Sequence, residues 1–383
     1  MTERDGRFID PERGVLEGEG AGQRVKRAEL DAPPEPWTAD PTADLGDPTY
    51  YDRPVLKEPV WISAVPAYFW VGGAAGAAAA LGAVAHLADR DGFDGLIERA
   101  RWMTAIGGGV GTALLVVDLG RPTRALNMLR VFRPSSPMSV GSWTLAGMTP
   151  LAAGSAILHR FDGALGALGE AAGLGSGALG VPLAGYTAVL LSNTAVPLWQ
   201  GTRRSLPALF MSSAVTTAAG LLGMLDLDER EERVVRRFGV AGRIADLVAS
   251  KAVEREADRI GQVGKPLHEG LAGTLWKASE ALTAASLALS LLPGRRTRLR
   301  RVVEGGLGAA GSLAMRFAIF HAGKTSARDP RATFHQQRAG QGAAEVTGRP
   351  AVTGPDGQLA ADSPADGFGG DRGTEPTVRI ASS

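Results

Sequence analysis

The sequence predicts an all-α integral membrane protein, on three observations: long runs without charge, small residues spaced for helix contact within them, and no two-residue alternation. Pro59–Leu87 contains no Asp, Glu, Lys or Arg. Roughly 20 consecutive apolar residues suffice to cross a hydrocarbon core. Met103–Leu119 is apolar except for Asp118, and Met138–Leu158, Ala178–Trp199 and Ser205–Leu225 carry no charge. Gly73–Ala80 lacks the alternation of a barrel wall, whereas a helix satisfies its backbone hydrogen bonds within one segment. Gly72/Gly76 and Gly107/Gly111 have the spacing that lets helices approach closely, so helix contact is their simplest role.

The later elements are less uniform. Ala281–Gly294 becomes long enough to span if its helix begins near Leu275, and Gly305–Gly323 contains one charge, Arg316. Phe238–Val253 is periodic but is interrupted by Arg243, Asp246 and Lys251. It fits a bundle-facing span or an amphipathic helix in the interface. Taken as a span it brings the total to about eight, and an even number puts both tails on one side.

Averages conceal this pattern: 44% of residues are hydrophobic, 21% are charged and the formal net charge is +1. Residues 1–58 and 325–383 are polar and rich in Pro, Gly, Asp and Arg, the composition of disordered tails. Near-zero net charge gives no footing for nucleic-acid binding. The chain has no cysteine, so it lacks the thiolates that hold iron–sulfur clusters. No signal peptide opens the sequence, and insertion is expected to rest on the internal spans.

Several residues carry chemistry. Gly175–Gly180 matches G-x-G-x-x-G, but it leads into an apolar span with no acidic residue in the following stretch, so a nucleotide role is not expected. The five histidines, His86, His159, His268, His321 and His335, fall at span ends or in polar segments, which favours interfacial roles over paired haem ligation. Asp118, near the end of a span and followed by Arg121 and Pro122, is a helix-end ion pair with Arg121 or a proton-accepting carboxylate. Arg316 needs a partner, with Asp118, Asp246 and Glu280 as candidates. Tyr68 and Tyr186 are two of four tyrosines and lie within spans. A phenol anchors at the interface or donates to a ligand carbonyl. Asn193 offers an amide for helix contact or for a polar ligand.

Beyond periodicity, ordered motifs carry a resemblance: Asp118-Leu119-Gly120-Arg121-Pro122, then Asn127–Arg130, then Ser135–Trp143, then Gly185-Tyr186-Thr187 running to Trp199. The chain resembles the NrfD/PsrC family of polysulfide reductase membrane subunits from about Tyr50 to Asp329, with Tyr50–Lys57 and Ser326–Pro330 similar to its actinobacterial branch. The resemblance implies eight transmembrane helices in two four-helix bundles in the cell membrane. It also implies a quinone, menaquinone by preference, and neither haem nor iron–sulfur cluster in this chain. An iron–sulfur subunit and a molybdopterin catalytic subunit would be partners, so this chain would not be catalytic alone. Tyr186 matches the family's quinone-contacting Tyr; Tyr68 stands where the family has a His, and Val65 where it has an Asn. Asp118 and Arg121 match the acidic and basic residues of a proton route. The expected organisation is a tail over 1–58, a first bundle plus fifth helix with the quinone site over 59–225, remaining helices over 226–324 and a tail over 325–383. A secondary transporter or ion-conducting bundle is the rival, because glycine-interrupted helices and an intramembrane Asp/Arg pair suit that class too.

Overall fold

The computed structural model describes residues 8–10, 15–17, 56–119 and 122–333. Two compact units divide at Tyr50 and Tyr51. In the first, β1 (Phe8–Asp10) pairs antiparallel with β2 (Val15–Glu17), Ile9 opposite Leu16. The polar composition of residues 1–58 predicts an unstructured tail over this stretch. Phe8-Ile9 and Val15-Leu16 are β-forming residues, which favours the short paired strands.

The second unit is helical. It contains α1 (Ala64–Asp89), α2 (Asp94–Asp118), α3 (Pro137–Leu158), α4 (Ala164–Ser192), α5 (Pro197–Gly201), α6 (Leu206–Gly223), α7 (Glu229–Ala257), α8 (Gly261–His268), α9 (Gly270–Leu291) and α10 (Arg298–Arg328). Five helices are long and apolar enough to cross a membrane: α1, the run Asp91–Asp118, α4, α6 and α10. The protein is therefore an all-helical, multi-pass membrane protein in its described spans. Helices α3, α7 and α9 are also long, 22, 29 and 22 residues.

The fourth apolar run has a different frame from the one read off its charges. Helix α4 starts at Ala164, after Gly163 turns with φ of 69°. It tolerates Glu170 because Arg90 pairs with that carboxylate at 2.5 Å. It stops at Asn193, and Trp199 belongs to the separate helix α5 opened by Pro197. A proline disfavours helix in the residue before it, which ends the run earlier than uncharged length suggests. At the other end, α10 begins at Arg298 and reaches Arg328, because its terminal arginines find partners outside the apolar stretch.

Packing follows the small residues. A Cβ on Gly76 would lie 2.5 Å from the Gly180 carbonyl oxygen, so α1 and α4 touch backbone to backbone. Gly180 is the last glycine of the G-x-G-x-x-G run, which lies inside α4 with no strand before it; the motif is a packing seam. Helices α1 to α4 pack on one another, as do α6, α7, α9 and α10, and α6 and α10 also pack against α1. Helix α7 has a capping box, in which the Asp228 carboxylate accepts from Glu231 N at 2.7 Å and Glu231 accepts from Asp228 N at 3.1 Å. The other Glu231 oxygen accepts from Leu96 N at 2.5 Å, tying the starts of α7 and α2 together.

Candidate functional site

The site lies where the N-terminal part of α1 meets the C-terminal ends of α2 and α4. Trp61 enters from the segment before α1, and Val65, Tyr68 and Phe69 enter from its first turns. Leu115, Asp118 and Leu119 come from the end of α2, Met128 from the following turn, Met138 and Ser142 from α3, and Tyr186 and Leu190 from α4. Together they line a cavity of about 90 Å³, or about 600 Å³ with its mouth included. Met138 and Leu119 are exposed at its rim, 50% and 39%.

Tyr68 and Tyr186, 118 residues apart in sequence, share a hydrogen bond between their hydroxyl oxygens. Tyr68 is only 1% exposed, and its ring edge tilts against Phe69 with centroids 5.9 Å apart. Tyr186 is seated by the absence of a side chain opposite: a Cβ on Gly141 of α3 would lie 1.8 Å from the Tyr186 ring. Gly72 and Gly111 sit against Tyr68 in the same way, at 3.1 and 3.2 Å. The two expected packing pairs thus divide the work: Gly72 and Gly111 give Tyr68 room, while Gly76 and Gly107 let neighbouring helices approach.

Each phenol has one donor hydrogen. A bond between two of them uses one hydrogen, so the pair retains one O–H for a ligand acceptor. Asp118 borders the same cavity. Its Oδ1 accepts from the Ile62 backbone N–H at 3.1 Å, leaving the second oxygen without that bond. Asp118 makes no ion pair with any described residue; Arg121, its expected local partner, lies outside the described residues.

The wall that carries Trp61 is braced from the far end of the chain. Trp61 stacks on Trp199 with centroids 5.8 Å apart, and Trp199 Nε1 donates to the Ile319 carbonyl at 2.9 Å. Glu58 pairs with Lys324 at 3.0 Å and with Arg328 at 2.5 Å. These contacts fix the segment that leads into α1.

Of the residues singled out from sequence, Tyr68, Tyr186 and Asp118 come together here. Val65 also lines the cavity. Asn193 does not: it is exposed at the end of α4, and its amide donates to the Val189 carbonyl at 2.8 Å, capping its own helix. Trp61, Met128, Met138 and Ser142 were missed by sequence reasoning. Met128 lies in the Asn127–Arg130 motif and Met138 and Ser142 in the Ser135–Trp143 motif, the one signal that could have found them.

Arg316, buried to 1%, is settled among its candidates. Its Nη2 donates to the Phe210 carbonyl at 2.8 Å, its guanidinium lies 3.7 Å from the Phe210 ring centroid, and Asp246 is the acidic group whose charge reaches it. Among the described residues, no group of three His, Asp or Glu could hold a metal ion.

No curated protein and no solved structure matches the chain. Residues 56–238, from the segment before α1 into the first third of α7, match the family model described as polysulphide reductase, NrfD, and that stretch holds Tyr68, Asp118 and Tyr186.

Proposed function

We propose that this chain is the quinone-binding membrane subunit of an oxidoreductase complex, with an iron–sulfur subunit and a molybdopterin catalytic subunit as partners in the cell membrane. One observation carries the reading: a hydrogen-bonded pair of phenols and a membrane-end carboxylate line one largely apolar cavity. In this reading the eight long helices all span, α3, α7 and α9 included, and form two four-helix bundles, α1–α4 and α6, α7, α9, α10.

The lining suits a flat ligand with polar oxygens. Apolar walls from Val65, Phe69, Leu115 and Leu190 exclude water, and the free phenol O–H donates to a carbonyl oxygen. A quinone, menaquinone by preference, supplies two-electron, two-proton chemistry when bound, and the chain supplies orientation. The enclosed volume holds a ring rather than a whole isoprenoid ligand, which leaves a tail outside the rim formed by Leu119 and Met138. Asp118, bonded at one oxygen to the Ile62 N–H, has its other oxygen available to take or return a proton. Arg121 follows it in the same motif and is assigned to the same proton route.

This chain has no cysteine, and a partner's iron–sulfur cluster is assigned the other end of the electron path. Replacing Tyr186 with Phe tests the reading in the assembled complex. Quinone-coupled turnover is expected to fall about fivefold to tenfold, the scale of one charge-free hydrogen bond lost at a reacting group. Turnover of the catalytic subunit with an artificial acceptor should not change. Unaltered quinone-coupled turnover would remove Tyr186 from the site.

A further inference from the structure

A second site lies at the opposite end of the later helices. The connection from α9 to α10 turns at Gly294, where φ is 107°, and folds beside the first turns of α7. Between them is a cleft of about 590 Å³. Beneath its floor, the end of α6 and the start of α10 enclose a lattice of buried charge. Glu304 pairs with Arg296 at 2.5 Å and with Arg243 at 3.3 Å, and Glu232 pairs with Arg296 at 3.1 Å and with Arg301 at 3.4 Å. Those carboxylates are therefore already neutralised.

The cations above them are not. Arg233, Arg236 and Arg295 line the cleft and make no ion pair with any described residue. Glu229 is the one lining carboxylate also without such a pair, so the cleft keeps an excess of two positive charges. Arg296 Nη1, buried beside it, has no hydrogen-bond partner among the described residues. Leu291 and Leu292 line the same cleft and are 61% and 54% exposed. Leu299, in the first turn of α10, is 73% exposed. Helices α6 and α10 are both long and apolar enough to cross a membrane, and both have an end here.

We propose that this cleft binds the phosphate headgroup of an anionic phospholipid. Guanidinium forks match phosphate oxygens in pairs, and basic recesses at the ends of membrane helices attract anionic headgroups. A lipid, rather than a free phosphate, fits because exposed leucines line the same space as the arginines and offer a surface for acyl chains. The ion-paired floor holds the cleft's shape without depending on the ligand. This site does not involve the tyrosine cavity, and its lining belongs to α7, the α9–α10 connection and the end of α9.

The test uses the full chain, purified in detergent and stripped of lipid. Thermal stability and native mass spectrometry are read with added phosphatidylglycerol, phosphatidylcholine or inorganic phosphate. Phosphatidylglycerol should bind and raise Tm, and the combined substitutions Arg233→Gln, Arg236→Gln and Arg295→Gln should weaken that binding about a hundredfold, on the order of one kcal/mol per surface arginine. The lipid-free variant should keep the parent Tm, because none of the three arginines is paired. Arg204→Gln, Arg255→Gln and Arg259→Gln remove equal charge at the other end of α6 and α7 and should leave binding unchanged. Equal binding of phosphatidylcholine, equal loss in the control variant, or full stabilisation by inorganic phosphate alone would each overturn the proposal.

Discussion

Around the tyrosine cavity, α1 to α4 present phenols and one carboxylate, whereas α6, α7, α9 and α10 bury charges in pairs. Tyr68 and Tyr186 satisfy each other and retain an open donor. Arg243 and Glu304, with side chains 2% and 5% exposed, are locked together with Arg296. A neutral pair can exchange a hydrogen bond with a ligand at little cost, because its alternative partner is also neutral. A buried ion cannot give up its partner without a large penalty. The first region is built to receive something, and the second is built to hold still.

The sharpest way to break this contrast is Glu304→Leu. Arg243 and Arg296 would lose their shared carboxylate, and the destabilisation should be about 3–5 kcal/mol, read as a fall in Tm of the detergent-purified chain. A loss under about 1 kcal/mol would mean that the lattice contributes little to rigidity. Next in size is Gly141→Ala. Its new Cβ would fall within the Tyr186 ring, and overpacking should cost roughly 1–3 kcal/mol while displacing the phenol. That variant should lose quinone-coupled turnover even though it removes no polar group from the site. Tyr68→Phe comes third, costing about 1 kcal/mol of stability but weakening quinone binding clearly. Comparable losses of stability from Tyr68→Phe and Glu304→Leu would erase the distinction.

The smallest effect is a pH dependence at Glu58. Burial works to raise its pKa, but the hydrogen bonds from Arg328 and Lys324 outweigh that and hold the carboxyl below its ordinary range. A carboxylate with a depressed folded pKa contributes stability above its unfolded pKa, and that stability is lost as pH falls through the folded value. The brace on the segment before α1 should therefore weaken below roughly pH 4. Glu58→Gln should flatten that acid limb while changing Tm at neutral pH by no more than about 1 kcal/mol equivalent. An acid limb as steep as the parent's would assign the effect to another carboxylate.

Much of this architecture is legible from charge-free length. Runs over α1, α2, α3 and α6 are visible because no ion interrupts them, save Asp118 near the end of the α2 run. The start of α4 is not, since Glu170 breaks the run and its neutralising partner, Arg90, is 80 residues away in sequence. Helix α7 hides for the same reason: Arg243 and Asp246 look like an interruption until Glu304 and Arg316 are placed beside them in space. In the site, Tyr68, Tyr186 and Asp118 stand out as rare polar groups in apolar surroundings. Asn193 stands out equally by that criterion, yet its amide closes its own helix end. A polar residue near a helix terminus is as readily used by the backbone as by a ligand, and only the position of the cavity separates the two.

The most direct test of the central claim is photoaffinity labelling of the assembled complex with an azido-substituted quinone, followed by peptide mapping. Label should fall on the start of α1, the end of α2 with Met128 and Met138, or the Tyr186 segment of α4, and excess unlabelled quinone should suppress it. Suppressible label confined to α7, α9 or α10 would contradict the assignment.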